Sequence, residues 1–135
     1  MWIGKGFKIF ILYILFSCVF CKAHAARLAP ERLYQEFWCT KLDGHTEVKL
    51  PDGARVDCLY NDYAIEFDFA NKWAEAIGQS LYYGHSLNKK AGIVLIMENY
   101  PKEKRYLRRL MKIAKLHNIT VWTITPDDLD LQHKL

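Results

Sequence analysis

The chain has 135 residues, of which 51% are hydrophobic and 25% charged, with seven glycines and four prolines. That excludes disordered, collagenous and low-complexity proteins and suits one domain better than two, while a mean hydropathy of −0.13 excludes a multi-span membrane protein. The formal charge of +4 is mild, and its distribution says more than its total.

Lys5 and Lys8 precede an uncharged apolar run of 13 residues, Ile9 to Cys21, and Ala23-His24-Ala25 follows it. A positive start, a short apolar stretch and a small-x-small site are the parts of a cleaved export signal. The run is shorter than the roughly 20 residues of a membrane span. Residues 1–25 are therefore expected to be a signal peptide and residues 26–135 one exported domain, periplasmic or secreted. A buried N-terminal helix or an uncleaved anchor is the alternative. Loss of Lys5, Lys8 and Lys22 leaves sixteen basic and fifteen acidic groups, so global charge predicts no partner. Cys18-x-x-Cys21 falls within the signal, leaving Cys39 and Cys58. One even pair in an oxidising compartment predicts a disulfide. A metal site of Cys39, His45 and Cys58 is the rival, but its spacing matches no compact zinc pattern.

In the mature chain, Pro30-Glu31 opens a helical pattern with Pro at the first helical position; Leu33 and Phe37, with Tyr34 and Trp38, form its apolar stripe. Thr46–Leu50 alternates as a half-buried strand does. Pro51-Asp52-Gly53 supplies a turn, because Pro presets φ and Gly accepts a positive φ. Ala54–Tyr60 is the return strand, Asn61-Asp62 the next turn, and Tyr63–Phe69 the third strand of a meander. A helix runs from Asn71 to about Leu87. Ala91–Met97 is continuously apolar, as strands buried on both faces are. Pro101–His117 is an amphipathic helix with Tyr106, Leu107, Leu110, Ile113 and Ala114 inward, and Ile119–Ile124 is a last strand stopped by Pro126. The order α-β-β-β-α-β-α-β predicts an α/β fold, a mixed sheet flanked by helices.

Residues two apart on a strand share a face, so Glu66 and Asp68 project together while Ile65, Phe67 and Phe69 project oppositely. Asp57 lies mid-strand between Val56 and Cys58, so pairing of the two strands brings three carboxylates together. Such a cluster must gain a cation or protons. Hard oxygen ligands favour Mg²⁺ or Mn²⁺; the plainer reading is the polar outer face of a meander. On the following helix, Lys72, Gln79 and Tyr83 are spaced by seven and four and share a face, with Glu75 close by. A cation, an amide and a phenol beside carboxylates suit a phosphodiester.

These residues resemble the PD-(D/E)XK, or restriction-endonuclease-like, nuclease superfamily. Its α-β-β-β-α-β core corresponds to residues 30–98. Asp57 takes the place of the metal-binding Asp of the second strand, and Glu66-Phe67-Asp68 that of the Glu-x-Lys of the third. Gln79-Ser80-Leu81-Tyr82-Tyr83 is similar to the Gln-x-x-x-Tyr helix of one exonuclease-like branch. Another acid from the first helix corresponds to Glu31 or Glu36, and the sequence does not choose. Asp68 stands where the superfamily carries its catalytic Lys; Lys72 is the first candidate for a relocated lysine and Lys49 the second. Pro51-Asp52 reads as a literal Pro-Asp but lies in a turn.

The resemblance implies metal-assisted phosphodiester hydrolysis of DNA or RNA. Asp57 and Glu66 would hold Mg²⁺, Lys72 would orient water or offset developing charge, and Asp68 would be a third ligand or its hydrogen-bonding support. Gln79 and Tyr83 would position substrate, and Arg55 would contact phosphate. Lys102, Lys104, Arg105, Arg108, Arg109, Lys112 and Lys115 on one helix, against Glu103 alone, make a stripe able to follow a phosphate backbone or an ordinary solvated face. Asn118-Ile119-Thr120 is a glycosylation triplet entering a strand. The alternatives are a catalytically inactive nucleic-acid-binding domain of the same fold and a small exported structural or protein-binding domain.

Overall fold

The fold is that of a computed structural model and is described for residues 26–130; the expected signal peptide and the Cys18-x-x-Cys21 pair lie outside the described residues. Helix α1 (Glu31–Lys41) leads into strands β1 (His45–Lys49), β2 (Arg55–Tyr60) and β3 (Tyr63–Phe69). A 3-10 turn (Ala70–Lys72) opens helix α2 (Trp73–Leu87), followed by β4 (Lys90–Ile96), α3 (Tyr100–Leu116), β5 (Thr120–Ile124) and a final 3-10 turn (Pro126–Leu129). The five strands form one mixed sheet in the order β1-β2-β3-β4-β5. β1, β2 and β3 pair antiparallel, as the meander predicts. β3, β4 and β5 pair parallel, with α2 and α3 as the crossovers.

The alternation of β3 divides the core. Ile65, Phe67 and Phe69 pack beneath α1 with Tyr34, Cys39 and Cys58. On the opposite face α2 and α3 cover Ile93 and Leu95 through Ala76, Leu110 and Ala114. In β4, Ala91 through Ile96 are all buried, which accounts for the unbroken apolar run.

Two expectations for α1 need correction. Pro30 occupies the N-cap rather than the first helical position. Leu33 and Phe37 are 41% and 39% exposed, whereas Tyr34, Gln35 and Cys39 are buried. The physical reason is anchoring. The Tyr34 hydroxyl donates to Glu98 Oε1 at 3.0 Å, Gln35 reaches β1 and β2, and Cys39 is bonded to Cys58 with Cα atoms 5.9 Å apart. These ties set the helix's rotation and leave two of its apolar side chains outward. The disulfide also takes both thiols of the alternative metal set, so that set does not form. Among the described residues, no helix is long and apolar enough to cross a membrane.

Candidate functional site

The site forms where β2 and β3 stop pairing. Their antiparallel register runs through Tyr60↔Tyr63 and Leu59↔Ala64 and ends at Cys58↔Ile65. The next residue of β2, Asp57, turns its carboxylate to the backbone instead: the Phe67 N–H donates to Asp57 Oδ2 at 2.7 Å. A side chain thus replaces a ladder bond, bringing Asp57 beside Glu66.

Glu66 and Asp68 are only 5% and 2% exposed, which removes the reading of a solvated outer face. Burial in low dielectric disfavours a carboxylate's charged form. Burial, then the neighbouring Asp57 and Asp68 charges, push Glu66 well above the usual carboxylate range. Asp57 is raised chiefly by burial, against the hydrogen bonds from Phe67 and from Glu66. Burial thus disfavours the charged form of both Asp57 and Glu66, neighbours on paired strands. Asp68 rises to about 6 through burial, with Lys72 opposing. Buried Glu66 Oε2 has no hydrogen-bond partner among the described residues.

Around these acids stand groups from two more elements. Lys72 Nζ lies 3.6 Å from Asp68 Oδ1, and Asp68 raises the Lys72 pKa; the ammonium therefore stays charged and acts as a donor, not a base. Glu31, at the start of α1, is raised by burial and then by Asp57, with Lys72 opposing. Glu36 is instead tied to Arg32 at 2.6 Å. Gln79 donates to the Tyr83 hydroxyl at 3.4 Å, and Tyr83, raised by burial, also feels the Glu66 charge.

Lys49 and Arg55 stand exposed at strand ends, and Asp52 lies in its turn as expected. Lys49 pairs with no carboxylate among the described residues. Asp52 is held in its turn by Ala54 N–H at 3.0 Å and by the Tyr82 hydroxyl. Arg55 pairs through Nη1 with Glu47 Oε2 at 2.9 Å and stays largely exposed.

Sequence reasoning missed Gln35 and Glu47. Gln35 is 3% exposed and donates to Asp57 O at 2.7 Å and to Glu47 Oε1 at 2.9 Å. Glu47, inside β1, has φ 57°; the other five positive-φ non-glycine residues described are Asn or Asp. Those two tolerate the left-handed region, while Glu is costly there, and such backbone clusters at functional sites. A polar residue between Tyr34 and the Cys39 anchor was the only available signal for Gln35.

Among the described residues, no three His, Cys, Asp or Glu side chains are set to hold a metal ion. The donors still fit one: hard oxygens, one of them buried and unpartnered, are what a divalent cation takes. The chain matches no protein-family model, no curated protein and no solved structure.

Proposed function

We propose that the chain is a metal-dependent nuclease-like domain of restriction-endonuclease-like fold, hydrolysing phosphodiester bonds of nucleic acid. Buried Glu66, its oxygen unpartnered among the described residues, on the same strand as Asp68 with its Lys72 ammonium, carries this reading. Burying carboxylates that repel one another is costly unless a cation or proton resolves it. The meander, the crossover helix and the Gln79–Tyr83 pair on α2 support the resemblance in architecture. The Cys39–Cys58 disulfide suits the exported compartment that residues 1–25 suggest.

Asp57 and Glu66 are the residues that would hold Mg²⁺ or Mn²⁺, with Asp68 and Glu31 in support. When bound, the ion supplies a Lewis acid for the phosphate and lowers the pKa of water. Lys72, kept protonated by Asp68, offsets charge that develops on the phosphate. Tyr83 and Gln79 orient the backbone beside Glu66. Water adds across the P–O bond, its oxygen to phosphorus and a proton to the leaving alcohol.

Turnover of labelled single-stranded and duplex substrates with Mg²⁺ tests this. The parent chain is expected to cut, EDTA to stop it, and Asp57→Asn and Glu66→Gln to abolish cutting. Lys72→Ala is expected to slow turnover by at least tenfold; full activity of Lys72→Ala with a dead Lys49→Ala would move the lysine's role to β1. The second reading, a silent nucleic-acid-binding domain, draws on buried Asp68 standing where the superfamily carries its catalytic Lys. Salt-sensitive binding without cleavage would establish it.

A further inference from the structure

We propose that the outer face of α3 is the surface along which a nucleic acid backbone lies, leading it to the acid cluster; the second half of this inference rests on the hydrolytic reading. The argument starts from charge. Helix α3 carries seven Lys and Arg against Glu103, while the remaining described residues carry eight against fourteen Asp and Glu. The helix is therefore strongly positive on an otherwise acidic body. All fifteen acidic side chains of the chain lie within the described residues, yet the four ion pairs there involve none of these seven cations. Glu103 is turned to the helix start, where its Oε2 accepts from the Asn99 N–H at 2.8 Å. The positive face is left unneutralised from within.

Its arrangement suits a repeating anion. Lys102, Arg105, Arg109 and Lys112 recur at intervals of three and four, one stripe over ten residues or ~15 Å of helix. That is about four nucleotide steps along one duplex strand. Tyr106 orders two of the stripe's cations: the Arg105 guanidinium lies 4.7 Å from its ring centre and donates to its hydroxyl at 2.9 Å, and Arg109 lies 5.9 Å from the ring.

The apolar side of α3 is already committed, because Leu107, Leu110 and Ala114 pack on the sheet. A helix lying in a lipid surface needs that side for the membrane; what α3 exposes is its seven cations, with Tyr100, Met111 and Leu116 as scattered apolar side chains among them. Position links the stripe to the site. β3 and β4 are parallel and leave the sheet at the same end, and α3 packs against the 3-10 turn that carries Lys72.

The test is anisotropy titration of labelled single-stranded and duplex oligonucleotides with the full chain in EDTA, over a series of NaCl concentrations. The parent is expected to bind, and Lys102→Gln/Arg105→Gln/Arg109→Gln/Lys112→Gln to lose at least tenfold in affinity. The slope of log K against log salt should flatten by roughly 3. Lys41→Gln/Lys90→Gln should change neither quantity. Should the fourfold variant lose its helical circular dichroism, Lys104→Gln/Arg108→Gln/Lys115→Gln carries the same test on the neighbouring stripe. An unchanged slope overturns the inference, as does a parent chain that binds phosphatidylserine vesicles but no oligonucleotide. Binding lost with the stripe in a chain that never cuts leaves α3 as the surface and removes the hydrolytic reading. Cleavage with an unchanged KM in the fourfold variant does the reverse.

Discussion

Glu66 holds the site's electrostatic tension. It, Asp57 and Asp68 are all harder to ionise in the folded chain than in the unfolded one, so the unfolded chain gives up their protons first. The stabilising contribution is full below the ordinary carboxylate range and is lost as pH rises, through about 6 for Asp68 and higher for Glu66. Without a divalent cation, Tm is therefore expected to fall between pH 4 and pH 8. Glu66→Gln should flatten that fall and raise Tm at pH 8, by about 4–8 °C for each kcal/mol recovered. A Tm that climbs over the same interval, read by calorimetry, would contradict the burial assigned to these groups. Asp57→Asn should weaken Mg²⁺ or Mn²⁺ binding in isothermal calorimetry far more than Asp52→Asn, since Asp52 is exposed and engaged by its own turn. Equal losses would place the cation on the wrong aspartate.

At the level of elements, the disulfide ties the end of α1 to the strand residue after Asp57. Unreduced protein is expected to show no free thiol at Cys39 or Cys58 by mass spectrometry. Replacing both with Ala should cost ~3 kcal/mol by the loop-closure argument. Gly44 lies against this bridge: a Cβ there would stand 2.7 Å from Cys39 Sγ and 3.0 Å from Cys58 Sγ. Gly44→Ala should therefore destabilise by about 1–3 kcal/mol, measurable by urea unfolding; a neutral effect would mean that the α1–β1 corner yields freely. The same corner shows where sequence legibility ends. Period-two alternation in Tyr63–Phe69 and the apolar run before Met97 report local chain geometry, so the faces of β3 and the burial of β4 could be read. The rotation of α1 could not, because Tyr34, Gln35 and Cys39 are held by partners 64, 22 and 19 residues away. Asp57, Glu66 and Asp68 were legible as strand acids. The burial of Glu66 and Asp68 comes from packing by elements beyond their own strand, and Glu47's left-handed φ has no local sequence signal.

For the molecule as a whole, binding of the proposed cation would be linked to folding stability. A ligand that binds only the folded chain stabilises it by about 2.7 kcal/mol at a hundred times its Kd. Mg²⁺ is thus expected to raise Tm at pH 8 in the parent and not in Asp57→Asn; an equal rise in both would assign the effect to non-specific screening. The strand order has a separate consequence. Every described strand pairs with its neighbour in sequence, but the β3–β4 and β4–β5 pairs are parallel and close across a helix, which is slower than closing a hairpin. All the acids of the cluster lie between Glu31 and Asp68, so they leave the ribosome before α2 and β4, two elements packed against β3. Glu66 is opposite Ile93 of β4, a strand synthesised only after α2. As the nascent chain emerges, the three acids stay hydrated and free to titrate, and the cost of drying them arises late, when β4 joins the growing sheet.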